Sequence, residues 1–202
     1  KILYSQLHAR SLVIGETSAI GCNRGGTPQR LRELRNGAQL EMRIVVVSTV
    51  HVMNDIVSSS RIRTALRNGD IDLARELLGR PYSLTGSVAH GRKLAQRLGF
   101  PTINIQVPDE KLLPRYGVYA GYARIGNIRC PMVANIGVRP TVDGRNVSVE
   151  AHLLDYKCQQ TPKRASLELL FFLRPERRFE SIEVLAQQVK RDIANARKML
   201  RV

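Results

Sequence analysis

The chain has 202 residues, 43% of them hydrophobic and 24% charged, the composition of an ordinary globular protein with one large domain or two small ones. No apolar run approaches the ~20 residues of a membrane span, and the interrupted apolar start (Ile2, Leu3, then Leu12-Val13-Ile14) is too short for a signal peptide. The net charge of +15 is spread along the chain rather than gathered in a tail; it suits a polyanionic partner, an acidic protein or RNA, although 5% aromatic content and no Trp leave few platforms for stacked bases.

Three scattered cysteines, Cys22, Cys130 and Cys158, form neither a metal-ligand spacing nor a disulfide framework, which indicates a reducing, cytoplasmic setting. The chain begins at Lys1. Residues 11–14 and 43–47 are apolar runs of strand length, expected to be buried on both faces in a parallel sheet. Between them, Thr27-Pro28, Leu31, Leu34 and Gly37 supply an N-cap, a first-turn proline, an apolar stripe and a terminal glycine. This is a strand–helix–strand unit. Two parallel strands alone cannot bury both faces of a sheet, so this piece is expected to continue upstream in the natural protein or to lean on a partner.

A second helix is expected to begin after the serines at 58–60 and to stop near Asn68-Gly69. A third runs from Asp70 as N-cap through Leu73, Leu77 and Leu78 to Gly79. After Pro81 the pattern changes to strands, near 83–89, 102–106, 118–125, 128–135, 147–155 and 166–173, punctuated by Gly, Pro and Asn. Six strands with no helix between them favour a closed or Greek-key barrel. A last helix spans about residues 180–200, with Ile182, Leu185, Val189, Ile193 and Leu200 near one stripe.

Two stretches carry candidate chemistry. In Gly86-Ser87-Val88-Ala89-His90-Gly91 and Gly99-Phe100-Pro101-Thr102-Ile103-Asn104, the glycines Gly86, Gly91 and Gly99 allow backbone N–H groups to approach phosphate oxygens. Pro101 fixes the chain ahead of Thr102, whose hydroxyl suits a phosphate or Mg²⁺. Asn104 lies two residues on, hence on the same strand face, with a carbonyl to offer. Taken alone, the segment is equally a turn entering a strand. Glu150, in the alternating strand Val147, Val149, Ala151, Leu153, is either a surface glutamate or a general base for an attacking alcohol. His90 and His152 have no carboxylate or cysteine cluster around them and read as structural. Arg61 and Arg63 open a helix, where arginines are either exposed or phosphate-binding.

Together these motifs resemble the bacterial bifunctional riboflavin kinase/FAD synthetase family. The resemblance rests on Leu77-Leu78-Gly79-Arg80-Pro81-Tyr82, Gly86 to Gly91, Gly99-Phe100-Pro101-Thr102-Ile103-Asn104, Asn135-Ile136-Gly137 with Arg139-Pro140-Thr141, Val149-Glu150 with His152-Leu153-Leu154-Asp155, and Leu173-Arg174-Pro175-Glu176 with Phe179. It covers essentially residues 12–200. It implies a riboflavin kinase module over 83–202, a six-stranded antiparallel Greek-key barrel with a C-terminal helix. That module would transfer the ATP γ-phosphate to the ribityl 5′-hydroxyl of riboflavin to give FMN. Thr102 and Asn104 would hold Mg²⁺ and the ATP phosphates, Glu150 would be the catalytic base, and Arg174 and Phe179 would border the flavin. Ile103 and Ala95 stand where the family usually has alanine and glycine, and the usual Tyr-Gly step is missing around 156–161.

Residues 1–82 resemble only the later part of the family's adenylyltransferase domain, a partial Rossmann-like α/β piece with a helical connector. Val57-Ser58-Ser59-Ser60-Arg61-Ile62-Arg63 keeps its Ser-Ser-Thr-x-Ile-Arg element, with Ser58, Ser59 and Arg61 as vestigial residues of that site. In Gly15-Glu16-Thr17-Ser18-Ala19-Ile20-Gly21 the family's aspartate and both aromatics are replaced, and the upstream His-x-Gly-His element is absent. FAD synthesis is therefore expected to be lost. A reading of another class is a kinase fold reused, without catalysis, as a basic component that binds RNA or an assembly.

Overall fold

A computed structural model describes residues 2–89, 99–141, 144–156 and 162–202, with the backbone alone at 139–141 and 144–146. The chain divides into two compact units, Lys1–Val57 and Ser58–Val202. No described helix is long and apolar enough to cross a membrane.

In the first unit, β1 (Ser11–Gly15) and β2 (Arg43–Val47) pair in parallel, Ser11 opposite Arg43 and Gly15 opposite Val47. Helix α1 (Pro28–Gly37) connects them, its N-terminus capped by Thr27, which accepts from the Arg30 N–H at 3.3 Å. The expectation that both strands are buried on both faces does not hold. Ile14 is the one buried apolar side chain among the described residues of this unit, while Val13 and Val47 are 64% and 48% exposed. Two strands and one helix have too little surface to cover a second face. A short hairpin follows, β3 (His51–Val52) with β4 (Asp55–Ile56), turning through Met53 and Asn54, both at positive φ. Two-residue strands carry no alternation, so no sequence pattern marked it.

The second unit opens with α2 (Ser59–Asn68) and α3 (Ile71–Leu78). Ser58 and Asp70 cap them, and Gly69 and Gly79 end them in the left-handed region at φ 79° and 66°. The two helices, which the sequence pattern joined to the front piece, group with the barrel. The Arg115 N–H donates to the Leu66 carbonyl at 2.8 Å, and Ile71, Ala74 and Leu77 are buried.

Six strands then close a barrel: β5 (Tyr82–Ala89), β6 (Thr102–Gln106), β7 (Gly117–Ile125), β8 (Ile128–Thr141), β9 (Gly144–Leu153) and β10 (Arg164–Pro175). The order round the barrel is β10-β5-β6-β9-β8-β7, every pair antiparallel. Because β6 pairs with β9 rather than with β7, the topology is a Greek key. Leu84, Ile105, Tyr119, Met132, Ile136, Val149, Leu167 and Leu169 fill the interior, each buried. Helix α4 (Ile182–Leu200) packs outside. Its Ala196 and Leu200 join the buried Val118, Ala120, Val133 and Leu154. The expected apolar stripe of α4 is only partly used. Ile182 is 51% exposed, while Asp192 is buried, held by Arg174 at the end of β10.

Gly86 was expected beside a phosphate. Instead, a Cβ there would lie 1.9 Å from the Gln106 carbonyl oxygen and 3.0 Å from Ile105, so the residue lets β5 and β6 cross closely. Gly86→Ala is expected to destabilise the barrel by about 1–3 kcal/mol, the usual range for overpacking, read as a lowered urea midpoint. An unchanged midpoint would mean that the strands can separate freely there.

Candidate active site

Side chains alternate across a strand. In β6 and β9, Ile105, Val149 and Ala151 point into the barrel, so Thr102, Asn104, Ser148, Glu150 and His152 project from its outer face. The register sets Asn104 of β6 opposite Glu150 of β9, and Thr102 opposite His152. On the other side of β9, Asn135 of β8 is also opposite Glu150. Cross-strand partners in such a ladder have Cβ atoms ~4.5–5.5 Å apart. One carboxylate is thus flanked by two amides in a row across three strands.

The Thr102 hydroxyl donates to Glu150 Oε2 and the Ser148 hydroxyl to Oε1, each at 3.5 Å. At 3.5 Å these are long, weak contacts for O–H···O pairs. Ahead of Thr102, Gly99 adopts φ 83°, a conformation that a side chain would strain. His152 Nδ1 then meets the Pro101 carbonyl at 2.8 Å, and its ring stands edge-on to Phe100 at 5.8 Å. A cleft of about 630 Å³ opens beside the row, lined by Asn104, Gln106, Lys111, Val147, Ser148 and Val149 among others. Lys111 Nζ lies 4.4 Å from the Tyr82 ring centroid, and burial lowers its pKa.

Hydroxyl and carboxylate oxygens meet here, with amide side chains flanking them; oxygens of these kinds are the hard donors that Mg²⁺ takes. No group of three or more His, Cys, Asp or Glu suited to a metal occurs among the described residues.

The structure therefore brings Thr102, Asn104 and Glu150 together, as expected. Gly91, Ala95, His90 and Cys158 lie outside the described residues. Arg174 and Phe179, expected at a flavin border, also meet, with the guanidinium 5.5 Å from the ring centroid. The nitrogens of Arg174, however, are engaged by Asp192 at 2.8–3.1 Å, so much of its hydrogen-bonding capacity goes to anchoring α4. Ser58 is the N-cap of α2 and accepts from the Arg61 N–H at 3.2 Å; Ser59 opens that helix. The Glu16 carboxylate accepts from the N–H and hydroxyl of Thr49 at 3.1 and 3.3 Å. Asn135 and Ser148 were not singled out from sequence as site residues. The motif Asn135-Ile136-Gly137 and the alternation of β9 carried the signal, but only the register makes them neighbours of Glu150.

Comparison with known proteins shows the family of the chain. A family model described as riboflavin kinase (Flavokinase) matches residues 78–200. The bifunctional riboflavin kinase/FMN adenylyltransferase of Pseudomonas fluorescens is 38% identical over 198 residues, 98% of this chain and 63% of that protein. The protein of the same description from Escherichia coli K12 is 34% identical over 197 residues, 97% of this chain and 62% of its own. The chain thus spans a little over three fifths of the length of these relatives. A crystal structure described as a macrolide-efflux protein from Streptococcus pneumoniae superposes with TM-score 0.81 at 25% identity, covering 97% of this chain and 64% of that one. With its closed Greek-key barrel, its outer helix and a family match over most of its length, the chain belongs to the riboflavin kinase family.

Proposed function

We propose that this protein is a riboflavin kinase that transfers the γ-phosphate of ATP to the ribityl 5′-hydroxyl of riboflavin, forming FMN and ADP. The observation that carries the reading is the row of Asn104 and Glu150 on adjacent strands, with the Thr102 hydroxyl on the Glu150 carboxylate. In the proposed reaction Glu150 accepts the proton of the ribityl hydroxyl as its oxygen attacks phosphorus. Thr102 and Asn104 hold the nucleotide phosphates and Mg²⁺, and Gly91 and Gly99 admit the phosphates to the backbone. Bound there, the metal would neutralise charge on the phosphate oxygens. The remaining acceleration comes from holding hydroxyl and phosphate in line.

Residues 83–202 constitute the proposed kinase module and residues 1–82 a partial nucleotidyltransferase-like piece. The kinase reading is favoured over a non-catalytic, polyanion-binding reuse of the fold, because the family match and the three site residues coincide. Cysteines without a disulfide spacing are in keeping with a cytoplasmic enzyme. Adenylyl transfer is proposed to be lost. Thr17 stands where that element of the family has aspartate, the neighbouring Glu16 is bonded to Thr49, and Ser58 caps a helix. Incubating the folded chain with riboflavin, ATP and Mg²⁺ is expected to yield FMN and no FAD by chromatography. No FMN from folded protein would overturn the kinase reading, and FAD would overturn the loss of the second activity.

A further inference from the structure

Among the described residues, His152 ties the backbone of the approach segment Gly99–Pro101 to the strand that bears Glu150. It lies directly opposite Thr102 in the ladder. Its Nδ1 is 2.8 Å from the Pro101 carbonyl oxygen, and its ring stands at 88° to that of Phe100 with centroids 5.8 Å apart. A carbonyl oxygen only accepts, so Nδ1 carries the hydrogen and donates it.

The Pro101 carbonyl belongs to the planar peptide that enters Thr102. Fixing that plane, with the rotation about the Thr102 N–Cα bond limited by the β6–β9 ladder, sets the direction in which the Cα–Cβ bond of Thr102 leaves the chain. Threonine is β-branched, with few χ1 states, so the orientation of its backbone passes to its hydroxyl. The preceding residues need such support, since Gly99 is at positive φ and Pro101 has no N–H to give to a ladder. Two residues along the same strand from His152 stands Glu150. A single imidazole therefore relates the hydroxyl on one strand to the carboxylate on the next.

We infer that His152 is a positioning residue for nucleotide and metal binding: its Nδ1–H···O=C bond to Pro101 aims the Thr102 hydroxyl at the phosphates and their Mg²⁺. This deepens the kinase reading and rests on it for the identity of the ligand. A purely structural role, packing against Phe100, requires the ring but not the donor.

Two variants separate these roles. His152→Asn keeps a donor near the Nδ1 position and loses the aromatic edge; His152→Phe keeps the edge and loses the donor. Calorimetry with ADP, with and without Mg²⁺, is the direct readout. His152→Phe is expected to weaken Mg-ADP binding about tenfold, the scale of one hydrogen bond. It should raise the KM for ATP by a similar factor while the KM for riboflavin and the melting temperature stay put. His152→Asn should restore most of the affinity. Equal loss in both variants, or wild-type binding in His152→Phe, overturns the inference.

Imidazole nitrogen NMR of the wild-type protein needs no variant to fold. A neutral ring protonated at Nε2 rather than Nδ1 overturns the inference by itself. Should the wild type bind Mg-ADP but make no FMN, the kinase reading falls, while loss of binding in His152→Phe still supports the positioning role. Should the wild type bind no Mg-ADP, the positioning role falls.

Discussion

Glu150→Gln is expected to lower kcat by about 10²–10⁴-fold, the usual worth of a positioned general base, with Mg-ADP affinity and melting temperature unchanged. The amide is nearly isosteric with the carboxylate. Its oxygen can still accept from one of the Thr102 and Ser148 hydroxyls, which reach the two Glu150 oxygens at 3.5 Å, and its Nε2 can donate to the other. What it cannot do is accept a proton from the attacking hydroxyl. The loss therefore belongs in kcat rather than in KM, because the interaction is made as the proton moves and not on substrate binding. The decrease stops short of abolition because a phosphoryl group passes through a loose transition state that depends more on alignment and charge neutralisation than on the nucleophile's strength. Single-turnover measurement of FMN formation isolates the chemical step from product release. Unchanged single-turnover rates would remove Glu150 from the mechanism. A collapse of Mg-ADP affinity with little change in rate would make it a ligand-holding residue instead.

The elements of this fold were legible wherever the signal is local. Thr27 and Asp70 each sit where a cap is expected and each accepts a backbone N–H; the strand 102–106 matches its expected bounds. Local chemistry decides these features within a few positions. The site was legible in part. Spacing puts Thr102 and Asn104 on one face of a strand, but nothing in the spacing says that this strand pairs with the one bearing Glu150. That pairing is a long-range choice of the Greek key, which is why Asn135, on the far side of Glu150, escaped notice. Glycines misled where two physical uses share one residue type. Gly86 was read as room for a phosphate and serves as room for the Gln106 carbonyl. Burial was overread in 11–14 and 43–47. Their apolar runs suit a larger sheet, while the two strands and single helix of this unit leave Val13 and Val47 in contact with solvent. Conversely, Asp192 broke the helical stripe as a charge, and only the structure shows its partner.

That partner gives the largest expected effect on stability. Asp192→Ala should destabilise the barrel unit by about 3–5 kcal/mol in urea unfolding, the range for removing one member of a buried ion pair. The Asp192 side chain is 4% exposed and that of Arg174 17%. The guanidinium donates from Nε at 3.0 Å and from Nη2 at 2.8 Å to Oδ2, and Gln188 Nε2 donates to Oδ1 at 2.7 Å. Alanine would leave a mostly buried cation and an amide without their acceptor, so the expected loss is chiefly the penalty for the orphaned groups rather than the attraction between the charges. The double replacement Arg174→Met with Asp192→Leu tests that distinction. If orphaned charge is the cause, the pair of apolar residues recovers most of the stability, and the two substitutions are far from additive. If the double variant is as unstable as the sum of the singles, the coupling is zero and the two side chains contribute independently, which overturns the orphaned-charge account. The register links this anchor to the site: Arg174 is opposite Val118 in β7, Val118 opposite Asn135 in β8, and Asn135 opposite Glu150. A folded Asp192→Ala protein, kept below its lowered melting temperature, should therefore lose activity through a looser α4 and β10. Adding back stability elsewhere would recover that loss, whereas no gain in stability would recover the rate lost in Glu150→Gln.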